Sequence, residues 1–204
     1  MSVRIKVCGL TRAEDVDACV AAGVDAVGFN LARGPRRIAA AHAAMLIARL
    51  PPFITAVALV MDQAEADIHT ALDQAPFQAV QLHGAEPPEL AQRLARRLPV
   101  IKACTLGGLP AHAGYPCAAL LVDAPAPAGI GGGTGMAWDY AAVRVHGGGR
   151  PLILAGGLRP ETVAAAVRAA QPWAVDVSSG VESAPGCKDP AAITAFVAAA
   201  RSAA

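Results

Sequence analysis

Eight short apolar runs punctuate the chain: VRIKVC (3–8), DAVGFN (25–30), FITAVALV (53–60), AVQLH (79–83), PVIKAC (99–104), AALLVD (118–123), PLILAGG (151–157) and WAVDVSS (173–179). Their length and β-branched content predict strands. Between most of them lies an amphipathic stretch long enough for a helix. TRAEDVDACVAAG (11–23) places Glu14 three residues after Thr11, which predicts a capping box with Thr11 as N-cap and Gly23 as the stop. PPELAQRLARRL (87–98) and RPETVAAAVRAAQ (159–171) carry proline near the helix start, where a missing N–H costs nothing. The fifth connection, TLGGLPAHAGYP (105–116), is broken by glycine and proline, so its helix is expected to be short or missing.

Apolar strands alternating with helices predict parallel pairing with both sheet faces covered. Eight such units predict an α/β protein, a single (β/α)8 TIM barrel over residues 1–204. An open doubly wound sheet is the competing architecture, but eight strands in 204 residues leave little chain for long connections.

The formal net charge of +1 argues against a nucleic-acid partner held by a basic stripe. Five cysteines, an odd number without CxxC spacing, argue against a disulfide framework or a zinc knuckle. The N-terminus has no apolar signal-peptide core, and no uninterrupted apolar stretch is long enough to span a membrane. A cytoplasmic protein is expected. A monomer is expected, with a homodimer left open, because the outer helix faces show no unmistakable apolar patch that would decide the oligomeric state.

In barrels of this type chemistry gathers at the carboxyl ends of the strands. Those ends carry Cys8, Gln81 and His83, Asp123, Gly156–Gly157, and Asp176, Ser178 and Ser179. Side chains alternate along a strand, so Lys6 shares the face of Cys8 and is expected to favour its thiolate. The plainer reading is a small buried cysteine above a structural lysine. The loops after strands seven and eight, with Gly156, Gly157, Ser179 and Gly180, form the common place for a phosphate held by main-chain N–H groups. Otherwise these glycines only turn the chain. GIGGGTG (129–135) lacks the Walker A lysine and reads as a loop over the barrel mouth.

KVCGLT (6–11), DAVGF (25–29), PRRI (35–38), AVQLHGAE (79–86), LLVD (120–123), GGTG (132–135), LAGGLRPETV (154–163) and VDVSSGVESAPGCKD (175–189) occur in that order over nearly the whole chain. Together they resemble the phosphoribosylanthranilate isomerase family. The resemblance implies an Amadori rearrangement of a small phosphorylated substrate, with no cofactor, no metal, no nucleic acid and no membrane. It implies Cys8 as base and Asp123 as an acid that must stay protonated in a partly dry site. It implies an arginine for the anthranilate carboxylate. In NLARGPRRI (30–38) that is Arg36, with Arg37 or Arg33 as substitutes, because the loop is shorter than the family pattern and has Gly34 where a serine is usual. Gln81 and His83 are expected to bind substrate, with a satisfied core histidine as the plainer reading of His83. Asp176 is expected to bond a substrate hydroxyl, or to serve as counter-ion of Lys6 or Lys102 inside the barrel. Val60 stands where an aromatic is common and leaves room beside the aryl ring. The histidine-pathway Amadori isomerase uses two aspartates at the ends of strands one and five, where this chain has Cys8 and Cys104.

Overall fold

The structure, a computed structural model, describes residues 2–112, 114–123, 143 and 149–203; the loop at 129–135 lies outside them. Eight strands pair in chain order into a closed barrel: β1 (Arg4–Cys8), β2 (Ala26–Asn30), β3 (Thr55–Val60), β4 (Ala79–Leu82), β5 (Val100–Thr105), β6 (Ala119–Asp123), β7 (Leu152–Leu154) and β8 (Ala174–Val177). All the pairings are parallel, and β1 closes the ring against β8, with Lys6 opposite Asp176.

The helices among the described residues are α1 (Ala13–Ala22), α2 (Ala40–Ile47), α3 (Glu65–Gln74), α4 (Pro88–Leu94), α5 (Pro160–Ala170) and α6 (Pro190–Ser202). Pro88, Pro160 and Pro190 open their helices. The connection after β5 forms only two three-residue 3-10 turns, Leu106–Gly108 and Pro110–His112, as its glycine and proline content predicts. The start of α1 differs from expectation. Its N-cap is Arg12, and no side chain caps it. The Thr11 hydroxyl donates instead to the carbonyl of Gly186, 2.6 Å away, tying the end of β1 to the chain that follows β8. Gly23 does end α1 in the left-handed region, at φ 73°.

Strand parity sorts the side chains into two cores. Ile5, Val7, Val27, Phe29, Ala56, Ala58, Val60, Val80, Leu82, Val100, Leu120, Val122, Leu152, Leu154, Val175 and Val177 pack outward under the helices. Leu121, Ile153, Ala103, Ala119, Ala155 and Ala174 fill the barrel interior. Lys6, Cys8, Gly28, Gln81, His83, Asp123 and Asp176 share the inward parity. Two of the expectations change on this ground. Val60 belongs to the outer core and Leu59 takes the inward place on β3. Lys102 pairs in register with Leu82 and Leu120, both outward, so it is not inside the barrel.

After β8 a 3-10 turn (Ser179–Val181) leads into a two-stranded antiparallel ribbon, β9 (Glu182–Ala184) and β10 (Cys187–Lys188). Gly186, at φ 82°, makes the turn between them.

Candidate active site

Cys8 ends β1, buried at the mouth. Lys6, one inward position below, donates to Asp176 Oδ1 at 2.8 Å across the β1–β8 seam, and both side chains are nearly inaccessible. Asp176 is therefore the counter-ion of Lys6. Burial works against the Lys6 ammonium, but Asp176 and Cys8 more than offset it and hold Lys6 up at about 12. The expectation for Cys8 needs correcting. Burial pushes its thiol up, Lys6 and Lys188 only partly pull it back, and Asp176 adds to the rise. Burial outweighs the pull of the lysine, and the carboxylate beside it offsets part of that pull.

Gly28 on β2 makes this arrangement possible. A Cβ at that position would lie 2.7 Å from Cys8 Sγ and 3.1 Å from Lys6 Nζ. Gly28→Ala is expected to push the thiol away from the ammonium, lower kcat, and destabilise the fold by about 1–3 kcal/mol through overpacking. Steady-state kinetics and a thermal melt check it; unchanged kcat would mean that this contact does not matter for turnover.

On the other side of the mouth, Gln81 is fully buried and His83 half-buried at the end of β4. Gln81 Nε2 lies 3.0 Å from His83 Nδ1, and His83 Nε2 lies 3.7 Å from Asp123 Oδ2 at the end of β6. Burial pushes the His83 imidazolium down, so the ring is neutral at neutral pH. With the amide N–H donating to Nδ1, the ring's own proton sits on Nε2, toward Asp123. Rotating the amide would reverse both roles. Gln81 Oε1 is buried and has no partner among the described residues. His83 thus joins two inward groups at the mouth and is not sealed in the core.

Lys102, which the sequence left as a possible partner of Asp176, takes Glu86 instead at 2.8 Å. Glu86 also accepts from the amides of Asp62 and Gly84, fastening the loop after β3 to the loop after β4. The glycines after β7 and the turn after β8 meet closely. Gly156 and Gly157 adopt positive φ, and a Cβ on Gly180 would collide with the carbonyl oxygen of Leu158. The amides of Gly156, Gly157, Ser179 and Gly180 donate no hydrogen bond to another described residue, which leaves four half-buried donors at one edge of the mouth.

Of the three arginines after β2, Arg33 and Arg37 are exposed and Arg36 is half-buried. The Arg36 stem crosses Gly9, the residue after Cys8, where a Cβ would lie 2.6 Å from Arg36 Cδ. Its Nε and Nη2 donate to the two Glu182 oxygens at 2.8 and 2.7 Å. Glu182 was not singled out from the sequence, nor was Lys188, whose Nζ donates to Glu182 Oε1 at 2.8 Å and to the Ser178 carbonyl at 3.0 Å. Both lie inside the motif at 175–189, in which only Asp176, the serines and the glycines carry an expected role.

A closed parallel barrel with a thiol, an imidazole and carboxylates converging on its carboxyl-end mouth defines a TIM-barrel enzyme. The profile of the family described as N-(5'-phosphoribosyl)anthranilate (PRA) isomerase matches residues 5–199, and the chain belongs to that family. An N-(5'-phosphoribosyl)anthranilate isomerase from Myxococcus xanthus is 45% identical, with 99% of this chain and 98% of the relative covered. The crystal structure of phosphoribosyl anthranilate isomerase from Thermotoga maritima is similar at 36% identity and TM-score 0.90, covering 98% of this chain and 99% of that one. A phosphoribosyl anthranilate isomerase in complex with reduced 1-(o-carboxyphenylamino)-1-deoxyribulose 5-phosphate is similar at 34% identity and TM-score 0.85, over the same shares of the two chains.

Proposed function

We propose that this barrel isomerises N-(5'-phosphoribosyl)anthranilate by an Amadori rearrangement, as a step in tryptophan biosynthesis. Asp123 gives a proton to the furanose ring oxygen. The C1–O bond breaks as the nitrogen lone pair forms the C1=N bond of a protonated Schiff base. The Cys8 thiolate takes the proton from C2, the C–H electrons form C1=C2, and the resulting enolamine tautomerises to the 2-ketone. The products balance without any oxidant or reductant. The observation that supports this reading is that Cys8 and Asp123 occupy inward positions on β1 and β6 at the same end of the barrel.

A thiol whose proton is held tightly is a strong base once ionised, which suits a weakly acidic sugar C–H. Gly156, Gly157, Ser179 and Gly180 receive the phosphate on main-chain amides. Arg36 receives the anthranilate carboxylate, and Gln81 and His83 line the substrate beside Asp123. Asp176 acts through Lys6. The chain works as one domain over 1–204, in the cytoplasm. It acts as a monomer; Phe53, almost fully exposed at a positive φ, is the feature that favours a homodimer.

Purified protein mixed with freshly made phosphoribosylanthranilate, without metal or nucleotide, is expected to extinguish its anthranilate-type fluorescence at a rate proportional to enzyme concentration. Fluorescence that decays only at the spontaneous rate overturns the reading.

A further inference from the structure

The ribbon after β8 carries a charge arrangement that the acid–base chemistry leaves unused. Lys188 is completely buried, the Glu182 side chain is 5% exposed, and that of Arg36 is 23% exposed, so the three charges form a line from the interior to the mouth. Burying an ammonium costs several kcal/mol unless it is paired. A two-residue strand would be fastened as well by an apolar side chain. Glu182 Oε1 accepts from both cations, and among the described residues its Oε2 accepts from Arg36 alone.

An arginine bonded bidentately to a glutamate is a neutral unit, and a neutral unit attracts a second carboxylate poorly. Lys188 changes that balance. Two cations share one anion, so the trio keeps one net positive charge, and only Arg36 presents it to the mouth. The bonds to Glu182 use Nε and Nη2, two of the five guanidinium N–H groups, and direct the Nη1 side away from Glu182. The stem lies against Gly9, directly after Cys8.

We infer that Lys188 is a positioning residue that neutralises Glu182, so that Glu182 can fix the guanidinium of Arg36 without consuming the charge that binds the substrate's carboxylate. Burial works against the Glu182 carboxylate, yet the bonds from Arg36 and Lys188 hold it below the usual range, so the anion in this account persists at neutral pH. The inference rests on the proposed role of Arg36.

The test compares KM for phosphoribosylanthranilate with KM for its analogue lacking the carboxylate, N-(5-phosphoribosyl)aniline. Lys188→Met makes the trio neutral while Glu182 still grips Arg36. KM for the carboxylate substrate is expected to rise on the order of tenfold or more, with KM for the analogue nearly unchanged. Adding Glu182→Gln to Lys188→Met restores one net positive charge, and is expected to recover part of the lost affinity. A purely structural lysine gives neither the selective loss nor the rescue. KM does not depend on how much of a sample is folded, so partial misfolding leaves the comparison intact. If Lys188→Met does not fold, Lys188→Gln is read in the same way. Equal KM changes for both substrates, or no rescue in the double variant, overturn the inference. Arg36→Ala separates the levels. If it raises KM for the carboxylate substrate alone while Lys188→Met does not, only the role of Lys188 falls. If it does not discriminate the substrates, the carboxylate assignment falls and the inference with it.

Discussion

Cys8→Ser lowers kcat by roughly 10²–10⁴, the span of general acid–base contributions, and leaves KM nearly unchanged. A serine hydroxyl fits the same space against Gly28 but stays protonated where a thiol can ionise. The loss therefore falls on proton abstraction, which binding does not share. The environment of Cys8 adds a second readout. Burial pushes the thiol up, Lys6 opposes the rise and Asp176 reinforces it. The thiolate absorbance that disappears in Cys8→Ser should therefore titrate above the ordinary thiol range. Asp176→Asn removes a negative charge that disfavours the thiolate and frees Lys6 from its carboxylate, so the titration moves down in pH. Lys6→Met moves it up. Near-normal turnover in Cys8→Ser removes it as the base; a Cys8 that titrates at or below the ordinary thiol range would mean that Lys6 outweighs burial at this site.

Asp123→Asn is the other large effect, again roughly 10²–10⁴ in kcat. The amide keeps the shape and can still donate a hydrogen bond, but it has no proton to transfer to the ring oxygen. His83, 3.7 Å from Asp123, is neutral and cannot replace it as an acid. The wild-type reaction needs the thiolate and the protonated carboxyl together, so its pH–rate profile contains an ionisation of each. The variant keeps only the thiol's. The variant's rate should therefore keep rising with pH through the thiol's ionisation and lose its fall at high pH; a basic limb that survives Asp123→Asn means that another group supplies the proton.

The strands were legible because β-branched apolar runs at regular intervals have few other uses, and all eight form within a few residues of the windows read from the sequence. The weak fifth helix was legible for the opposite reason, since TLGGLPAHAGYP offers no stretch that could sustain one. The site was legible as far as alternation reaches from a known strand end: Lys6 follows from Cys8 and Gln81 from His83. Lys102 was misjudged because the parity of PVIKAC depends on which residue enters the ladder, and the run is apolar on both faces. Thr11 was misread because a hydroxyl before a helix serves equally well in a tertiary bond, here to Gly186. Glu182 and Lys188 stayed hidden because their significance lies in Arg36, 146 residues from Glu182 along the chain. Spacing within one motif cannot express such a partnership.

The seam of the ring has a consequence for biosynthesis. Lys6 emerges from the ribosome with the first strand and Asp176 with the last, and they meet only when β8 docks beside β1. A nascent polypeptide that stops short of β8 has the thiol and the ammonium but not the carboxylate that holds the ammonium in place. Ring closure and completion of the reactive centre are thus the same event.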